Sequence, residues 1–495
     1  MKISVECSSI TDFRCDLLII NEFEKVKVPG GATGSVDRAL GGLISKLTKE
    51  GEIDGKLGKV TLLHCAGKTK AEKVAVVGLG SREKFGYEAV RTAAAAAVKK
   101  AQEVKAKKVA TIIHGAGIGG LDPEQAAKAV VEGAVLGGYQ FTGYAKEQDP
   151  PAFSVEELVL LDHNKNKIAG IKKGAKLGLI IAEAENYARD LVNEPSNKLT
   201  PTEFAKLAKK IAQINGLKIS IVDPKQAGLD LLWSVAKGSE EPPKLVVMEY
   251  RGNPGKKEKI AIVGKGITFD SGGISLKPSN KMEEMKTDMA GAAATLAVMS
   301  LLADLKPKKN IIGLMPLTEN MPSGHATKPG DVVGSLSGLT AEIINTDAEG
   351  RLILADAITY AKKLGATQIV DLATLTGGCI VALGDAATAI MGNNQELIDK
   401  LLKIGNSCGQ KMWQLPLYDE YREAIKSTIA DIKNSAGNGK AQPSSGAAFI
   451  EKFVGETPWV HLDIAGTAHL DAPRGYLPKG ATGVPVRTLI EFLVS

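Results

Sequence analysis

Along the chain, short apolar runs alternate with longer amphipathic or alanine-rich stretches. In the first third the runs CDLLIINEF, KVTLLHCAG, KVAVVGLG, KKVATIIHG and VEELVLLD have the length and β-branched content of strands. Between them YEAVRTAAAAAVKKAQEVKA predicts a helix, because alanine has the highest intrinsic propensity. This rhythm predicts an α/β domain over residues 1–168, closing at the polar turn HNKNK. A connecting helix is expected across 169–194, with its clearest pattern from Ala175 to Val192, and the two prolines of NEPSNKLTP end it. From residue 195 to 495 a second α/β series follows: KISIVD, PKLVVMEYRG, KIAIVGKG, KNIIGLMPL, LTAEIINTD and ATQIVDLATL as strands, with MAGAAATLAVMSLLADL and LILADAITYAKKLG as helices between them. NSAGNGKAQPSSGAA reads as a mobile loop, since patterned sequence resumes beyond it.

Composition agrees with this division. A chain of 495 residues exceeds what one core organises, so two domains are expected. With 44% hydrophobic and 24% charged residues it has the balance of a folded globular protein. No run of about 18 apolar residues stands out, so no membrane span is expected. The start MKISVECSSITDF lacks the apolar core of a signal peptide. Cys7, Cys15, Cys65, Cys379 and Cys408 are odd in number and widely spaced, which fits reduced thiols in the cytoplasm and argues against a zinc–cysteine site. A net charge of +6 over this length is mildly basic, without a groove-reading motif for DNA.

Three stretches carry candidate chemistry. In HGAGIGG, Gly115, Gly117 and Gly120 satisfy G-x-G-x-x-G, the dinucleotide-binding pattern. That pattern needs a second strand about 20 residues on, ending in an acid. VEGAVLGGYQFTGYAKE occupies that region without a clean strand, so a tight strand-to-helix turn explains the glycines more simply. The six histidines show no HxxxH or HExxH spacing, which removes a zincin site and leaves any hydrolase here in need of another general base. The third set is acidic. GKGITFDSGGISLKPSNKMEEMKTDMAGAAA supplies Lys265, Asp270, Lys277 and Asp288, and NTDAEGRL supplies Asp347, Glu349 and Arg351. In open α/β sheets ligands sit beyond the carboxyl ends of strands, where Lys265 and Asp347 fall. Singly, each acid reads as a cap or turn residue. Jointly, four converging carboxylates would raise one another's pKa, and two divalent cations would balance them.

At these residues the sequence resembles the dimetal leucyl aminopeptidase (cytosol aminopeptidase) family. NTDAEGRL is that family's signature, and NEPSNKLTP, DLATLTGG and PKGATGVPVRTLIEFL agree with it, so the likeness spans roughly residues 180–495. The resemblance implies a smaller N-terminal α/β domain and a larger catalytic domain with a central mixed sheet flanked by helices. It implies an aminopeptidase that prefers N-terminal leucine but acts broadly, by attack of a metal-bridging hydroxide on the scissile carbonyl. Lys265, Asp270, Asp288, Asp347 and Glu349 would be the ligands of two metal ions, Zn or Mn first and Mg or Co next. Lys277 and Arg351 would be catalytic, with Arg351 holding a bicarbonate that shuttles protons. Met285, Thr374, Gly377 and Ala465 would line the pocket for the first side chain, and Ala468 stands where some relatives carry methionine. A homohexamer in the cytoplasm is the expected assembly. A two-metal phosphoesterase is disfavoured by the lysine ligand, and a DNA-binding second role, found in some bacterial relatives, has no motif behind it.

Overall fold

The computed structural model describes residues 1–146 and 153–495, and the chain divides into two compact units. One comprises Met1–Asn186 with Ala472–Lys479, the other Tyr187–Asp471 with Gly480–Ser495. The helix Lys165–Asn193 runs from one into the other.

In the N-terminal unit β1 (Lys2–Cys7), β2 (Cys15–Glu22), β3 (Val60–His64), β4 (Ala71–Gly78), β5 (Lys108–Ile112) and β6 (Glu157–Asp162) form one sheet in the order β1-β6-β5-β2-β4-β3. All neighbours are parallel except β3 with β4. Both faces of β2 are buried, as its unbroken apolar run requires. Leu17 and Ile19 pack with Val90, Ala93 and Val130 of the helices Tyr87–Glu103 and Pro123–Gly137. Leu18 and Ile20 pack on the opposite face with Val36 and Ile44 of the helices Gly31–Ala39 and Leu43–Glu50. The alanines of the long helix have a packing purpose. A Cβ at Gly133 would come within 2.2 Å of the Arg91 carbonyl, and one at Gly137 within 2.4 Å of Ala95, so small residues let these two helices meet backbone to backbone. Residues 131–146 hold the end of a helix and no strand, and Glu147 lies outside the described residues.

The larger unit contains β7 (Lys218–Val222), β8 (Lys244–Arg251), β9 (Lys259–Gly264), β10 (Gly266–Asp270), β11 (Asn310–Asn320), β12 (Val332–Gly334), β13 (Thr340–Glu342), β14 (Gln368–Ala373), β15 (Thr388–Gly392), β16 (Met412–Gln414), β17 (Ile432–Lys433) and β18 (Trp459–Asp463). Nine of them make a mixed sheet in the order β16-β15-β18-β14-β9-β11-β8-β7, with β10 paired to β11. Its centre, β18-β14-β9-β11, is parallel, while β8 and β15 join it antiparallel. Parallel central strands send their carboxyl ends to one edge, and that edge carries the site.

Helices cover both faces. Ala261, Val263, Ile312 and Leu314 pack with Ile353 and Ile358 of the helix Gly350–Lys363 and with Phe449 of the helix Gln442–Val454. From the other face the helix Ala290–Leu305 comes so close that a Cβ at Gly313 would lie 2.6 Å from Met299. Met282–Leu305 is long and apolar enough to cross a membrane, but 78% of its apolar window is buried inside the protein. It is a core helix whose apolarity matches the sheet it covers.

Candidate metal centre

Each charged residue singled out in the sequence leaves from the carboxyl edge of the sheet or from a loop beside it. Lys265 follows β9, Asp270 ends β10, and Lys277 lies in the loop after it. Asp288 joins the 3₁₀ turn Met282–Thr287 to the helix Ala290–Leu305. Asp347 and Glu349 lead into the helix Gly350–Lys363, and Arg351 sits in its first turn. All seven, with Met285, Thr374, Gly377 and Ala465, line one cavity of about 600 Å³. Ala468 is buried and does not line it. Among the described residues no histidine lines it either. A cavity of similar size, about 630 Å³, lies in the N-terminal unit, so size does not select the site; the clustered ionisable groups do.

The groups interlock. Lys265 Nζ lies 2.7 Å from Asp288 Oδ2 and 2.8 Å from Glu349 Oε1, and donates to the Thr374 carbonyl at 2.9 Å. Lys277 Nζ lies 2.8 Å from Asp270 Oδ2 and 2.5 Å from Asp347 Oδ1. Asp270, Asp347 and Glu349 bring carboxylate oxygens within 4.8 Å of one another. Asp288 Oδ2, Asp347 Oδ1 and Glu349 Oε1 are buried, and the close partner of each is a lysine ammonium rather than a neutral hydrogen-bond donor. Four buried or half-buried carboxylates share two lysines, which leaves an excess of negative charge, and a cation is the natural partner for several of them together. A carboxylate-rich donor set with lysine nitrogens fits divalent ions of the Zn, Mn, Mg or Co type.

Electrostatics follows from crowding. Burial, then repulsion from Asp270 and Glu349, pushes Asp347 up to about 7. Asp288 is raised well above the usual carboxylate range, first by burial and then by Asp270 and Glu349. Burial opposes the charge on Lys265 and Lys277, but the surrounding carboxylates outweigh it and both are raised. A cation held there would reverse this, since it would compete for the same oxygens and favour a neutral lysine nitrogen. Arg351 is buried, drops to about 10 through desolvation, donates from Nη1 to the Asn434 carbonyl at 2.7 Å, and has no partner for Nε.

Supporting residues escaped the sequence reading. Asn320, the last residue of β11, donates to Asp270 Oδ1 at 2.8 Å and to the Thr346 carbonyl at 3.0 Å, tying the two acidic segments together. With the Gly272 N–H, also on Asp270 Oδ1 at 2.9 Å, it leaves Oδ2 facing the cluster. Its signal was a polar residue at the carboxyl end of an apolar strand. Thr374, expected only as a pocket wall, also donates to Asp288 Oδ1 at 2.7 Å. Asn434, inside the segment read as a loop, is fully buried: its Oδ1 accepts from the N–H of Ile344 and Asn345, and its Nδ2 donates to the carbonyls of Asn345 and Ala348. Ser435, Gly437, Lys440, Gln442 and Ser445 of the same segment form a wall of the cavity. No periodicity marks a residue that braces a loop through its backbone.

Fold and site together define an α/β protein whose carboxylate-and-lysine centre, at the carboxyl edge of a mixed sheet, suits divalent cations. The catalytic-domain model of the cytosol aminopeptidase family matches residues 186–490, and the N-terminal-domain model of the same family matches residues 19–148. The chain belongs to the cytosol aminopeptidase family, and it is a metal-dependent aminopeptidase, a hydrolase acting at peptide N-termini. The "Probable cytosol aminopeptidase" of Alkaliphilus metalliredigens is 43% identical over 501 residues, covering 100% of this chain and 99% of that one. The protein of the same name from Geobacter sulfurreducens is 42% identical, again over 100% and 99%. Among solved structures, a mutant of tomato leucine aminopeptidase superposes with a TM-score of 0.89 at 31% identity, covering 100% of this chain and 96% of that one. The bottromycin maturation enzyme BotP in complex with Mn gives 0.86 at 33% identity, covering 97% and 99%.

Proposed function

We propose that Lys265, Asp270, Asp288, Asp347 and Glu349 hold two divalent ions, and that Lys277 and Arg351 carry the chemistry around them. The observation behind this is four carboxylates sharing two lysines at one edge of the sheet, with oxygens of Asp270, Asp347 and Glu349 within 4.8 Å of one another. When bound, the ions supply Lewis acidity toward the scissile carbonyl and lower the pKa of water. The protein's own groups do the rest. Lys277, a charged side chain among Asp270 and Asp347, is placed to stabilise the oxyanion of the tetrahedral intermediate. Asn320 and the Gly272 N–H fix the Asp270 carboxylate, and Thr374 fixes Asp288, so the donor set is preorganised. Among the described residues no histidine lines the cavity, and Arg351, with an unpartnered Nε, is suited to hold an anion rather than to accept a proton. Bicarbonate is the anion that would shuttle the proton from water to the leaving amine.

Met285, Thr374, Gly377 and Ala465 form our proposed pocket for the first side chain; one methionine among small groups suits leucine without excluding its neighbours in size. Zn or Mn are the ions we favour, the latter supported by the Mn complex of BotP. A homohexamer in the cytoplasm, with the chain divided at 1–168, 169–194 and 195–495, completes the reading; the relatives' names and five free thiols support the location. The decisive experiment strips the purified protein with a chelator and follows leucine p-nitroanilide hydrolysis as Zn²⁺, Mn²⁺, Mg²⁺ or Co²⁺ is restored, with an N-acetylated substrate alongside. Activity should return with metal and be absent on the blocked substrate. Hydrolysis that survives full metal removal, or that ignores the N-terminal block, overturns the proposal.

A further inference from the structure

The cavity of about 630 Å³ in the N-terminal unit is not used by the peptidase chemistry. It opens where β2, β4, β5 and β6 end, and is lined by Glu22, Leu79, Ile112 and Asp162 at or beside those ends. From β2 the chain crosses to β4 by way of the helices Gly31–Ala39 and Leu43–Glu50 on one face. From β5 it crosses the other way to β6 through the helix Pro123–Gly137 on the opposite face. The crevice beyond β2 and β5 is therefore a topological switch point, where open α/β sheets bind ligands.

Two segments face each other across it. HGAGIGG follows β5, and Gly30–Thr33 opens the first helix; Ile118 Cδ1 lies 3.0 Å from where a Cβ at Gly30 would be. The N–H groups of Gly117, Ile118 and Gly119, and those of Gly31, Ala32 and Thr33 at the uncapped helix start, donate to no acceptor among the described residues. Packing accounts for part of the glycine pattern: a Cβ at Gly115 or Gly119 would strike Phe85 at 2.7 Å. It does not account for Gly117, which has only open space around it and lines the cavity. Arg82 and Lys167 add positive charge to the lining. Glu22 adds a contrary feature: it is 6% exposed, and its Oε2 has no hydrogen-bond partner. With Asp162 also in the lining, the crevice carries carboxylates as well as cations, and the buried Glu22 oxygen calls for ligand donors such as paired hydroxyls. Burial also pushes this carboxyl up to about 7.

We propose that this crevice is a second ligand site, for a nucleoside diphosphate, with phosphates on the glycine turn and helix start, ribose hydroxyls on Glu22, and the base on the apolar lining. The volume suits a ligand of that size. The test is calorimetric titration of the metal-loaded enzyme with ADP, inorganic pyrophosphate and adenosine, repeated on Gly117→Glu and Glu22→Gln. Gly117 has room for a side chain, so the first variant folds and places an anion in the crevice. ADP should bind at one site per subunit, at least about tenfold tighter than pyrophosphate or adenosine. Gly117→Glu should weaken ADP by about tenfold or more while leucine p-nitroanilide hydrolysis is unchanged, and Glu22→Gln should weaken ADP but not pyrophosphate. No ADP binding up to about 1 mM, or undiminished binding to Gly117→Glu, which would put the ligand elsewhere, overturns the proposal. Pyrophosphate binding as tightly as ADP overturns the nucleoside part of it.

Discussion

Gly350 offers the sharpest test of the proposed metal centre, because it can be changed without replacing any of the proposed ligands. A Cβ there would lie 2.7 Å from Lys265 Cε and 2.8 Å from both Cδ and Nζ, against 3.4–4 Å for ordinary contact. Gly350→Ala must therefore displace the end of the lysine by roughly 0.7 Å. Lys265 has nowhere to yield: it is 2% exposed and pinned between Asp288 and Glu349 at 2.7 and 2.8 Å. The helix itself gains from the change, since alanine is favoured over glycine in a helix by about 1 kcal/mol. The expected result is a stable protein with a damaged centre. A misplacement near 1 Å costs on the order of 100-fold in rate, or about 2.7 kcal/mol of transition-state stabilisation. The assay is kcat/KM for leucine p-nitroanilide at saturating metal, with metal content and thermal melting measured on the same preparation. Activity within about threefold of wild type would refute the account of Lys265 and Gly350. So would a loss that tracks unfolding.

Asn434→Ala should leave two loop N–H groups and two carbonyls unpaired, lowering stability by about 2 kcal/mol or more and slowing turnover through the loosened Asp347–Glu349 segment; denaturant unfolding and kcat read the two effects. Ala465→Phe should shift selectivity from leucine toward alanine substrates by about tenfold in relative kcat/KM, and no shift would remove Ala465 from the proposed pocket. His114, fully buried and paired with Asn21 at 2.8 Å, is pulled down to about 4 by desolvation. The unfolded chain takes up this proton near pH 6.5 and the native protein refuses it until about pH 4. Stability is thus present above pH 6.5, declines by about 3 kcal/mol as pH falls to 4, and is flat in this respect below. Histidine-labelled NMR checks it: a His114 midpoint near 6.5 would contradict the burial argument.

Much of the architecture was legible because apolar runs are strand-length and parallel sheets need them unbroken. CDLLIINEF, KVAVVGLG and KIAIVGKG all became central or near-central strands. What escaped were strands with weak patterns. β1 at the edge has no buried residue, β10 pairs with β11 off the main strand order, and WVHLD, which became β18, has a buried His461 bound to Asp371 at 2.6 Å in place of apolar alternation. The seven charged residues were legible because acids, lysines and an arginine crowd into two short segments. Asn320, Thr374 and Asn434 were not, because a polar residue that braces its neighbours looks like any other until the chain is folded.

By itself, then, the sequence determined which charged groups are available and in what order, because two short segments carry all seven of them. Only the tertiary structure decided whether those groups meet. Asp270 and Asp347 are 77 positions apart in number, and what brings them to one lysine is the parallel order of β9, β11 and β14, which sends separate loops to one edge. Convergence of that kind comes from burying apolar surface on both faces of a sheet, a long-range free energy that no short window of sequence contains.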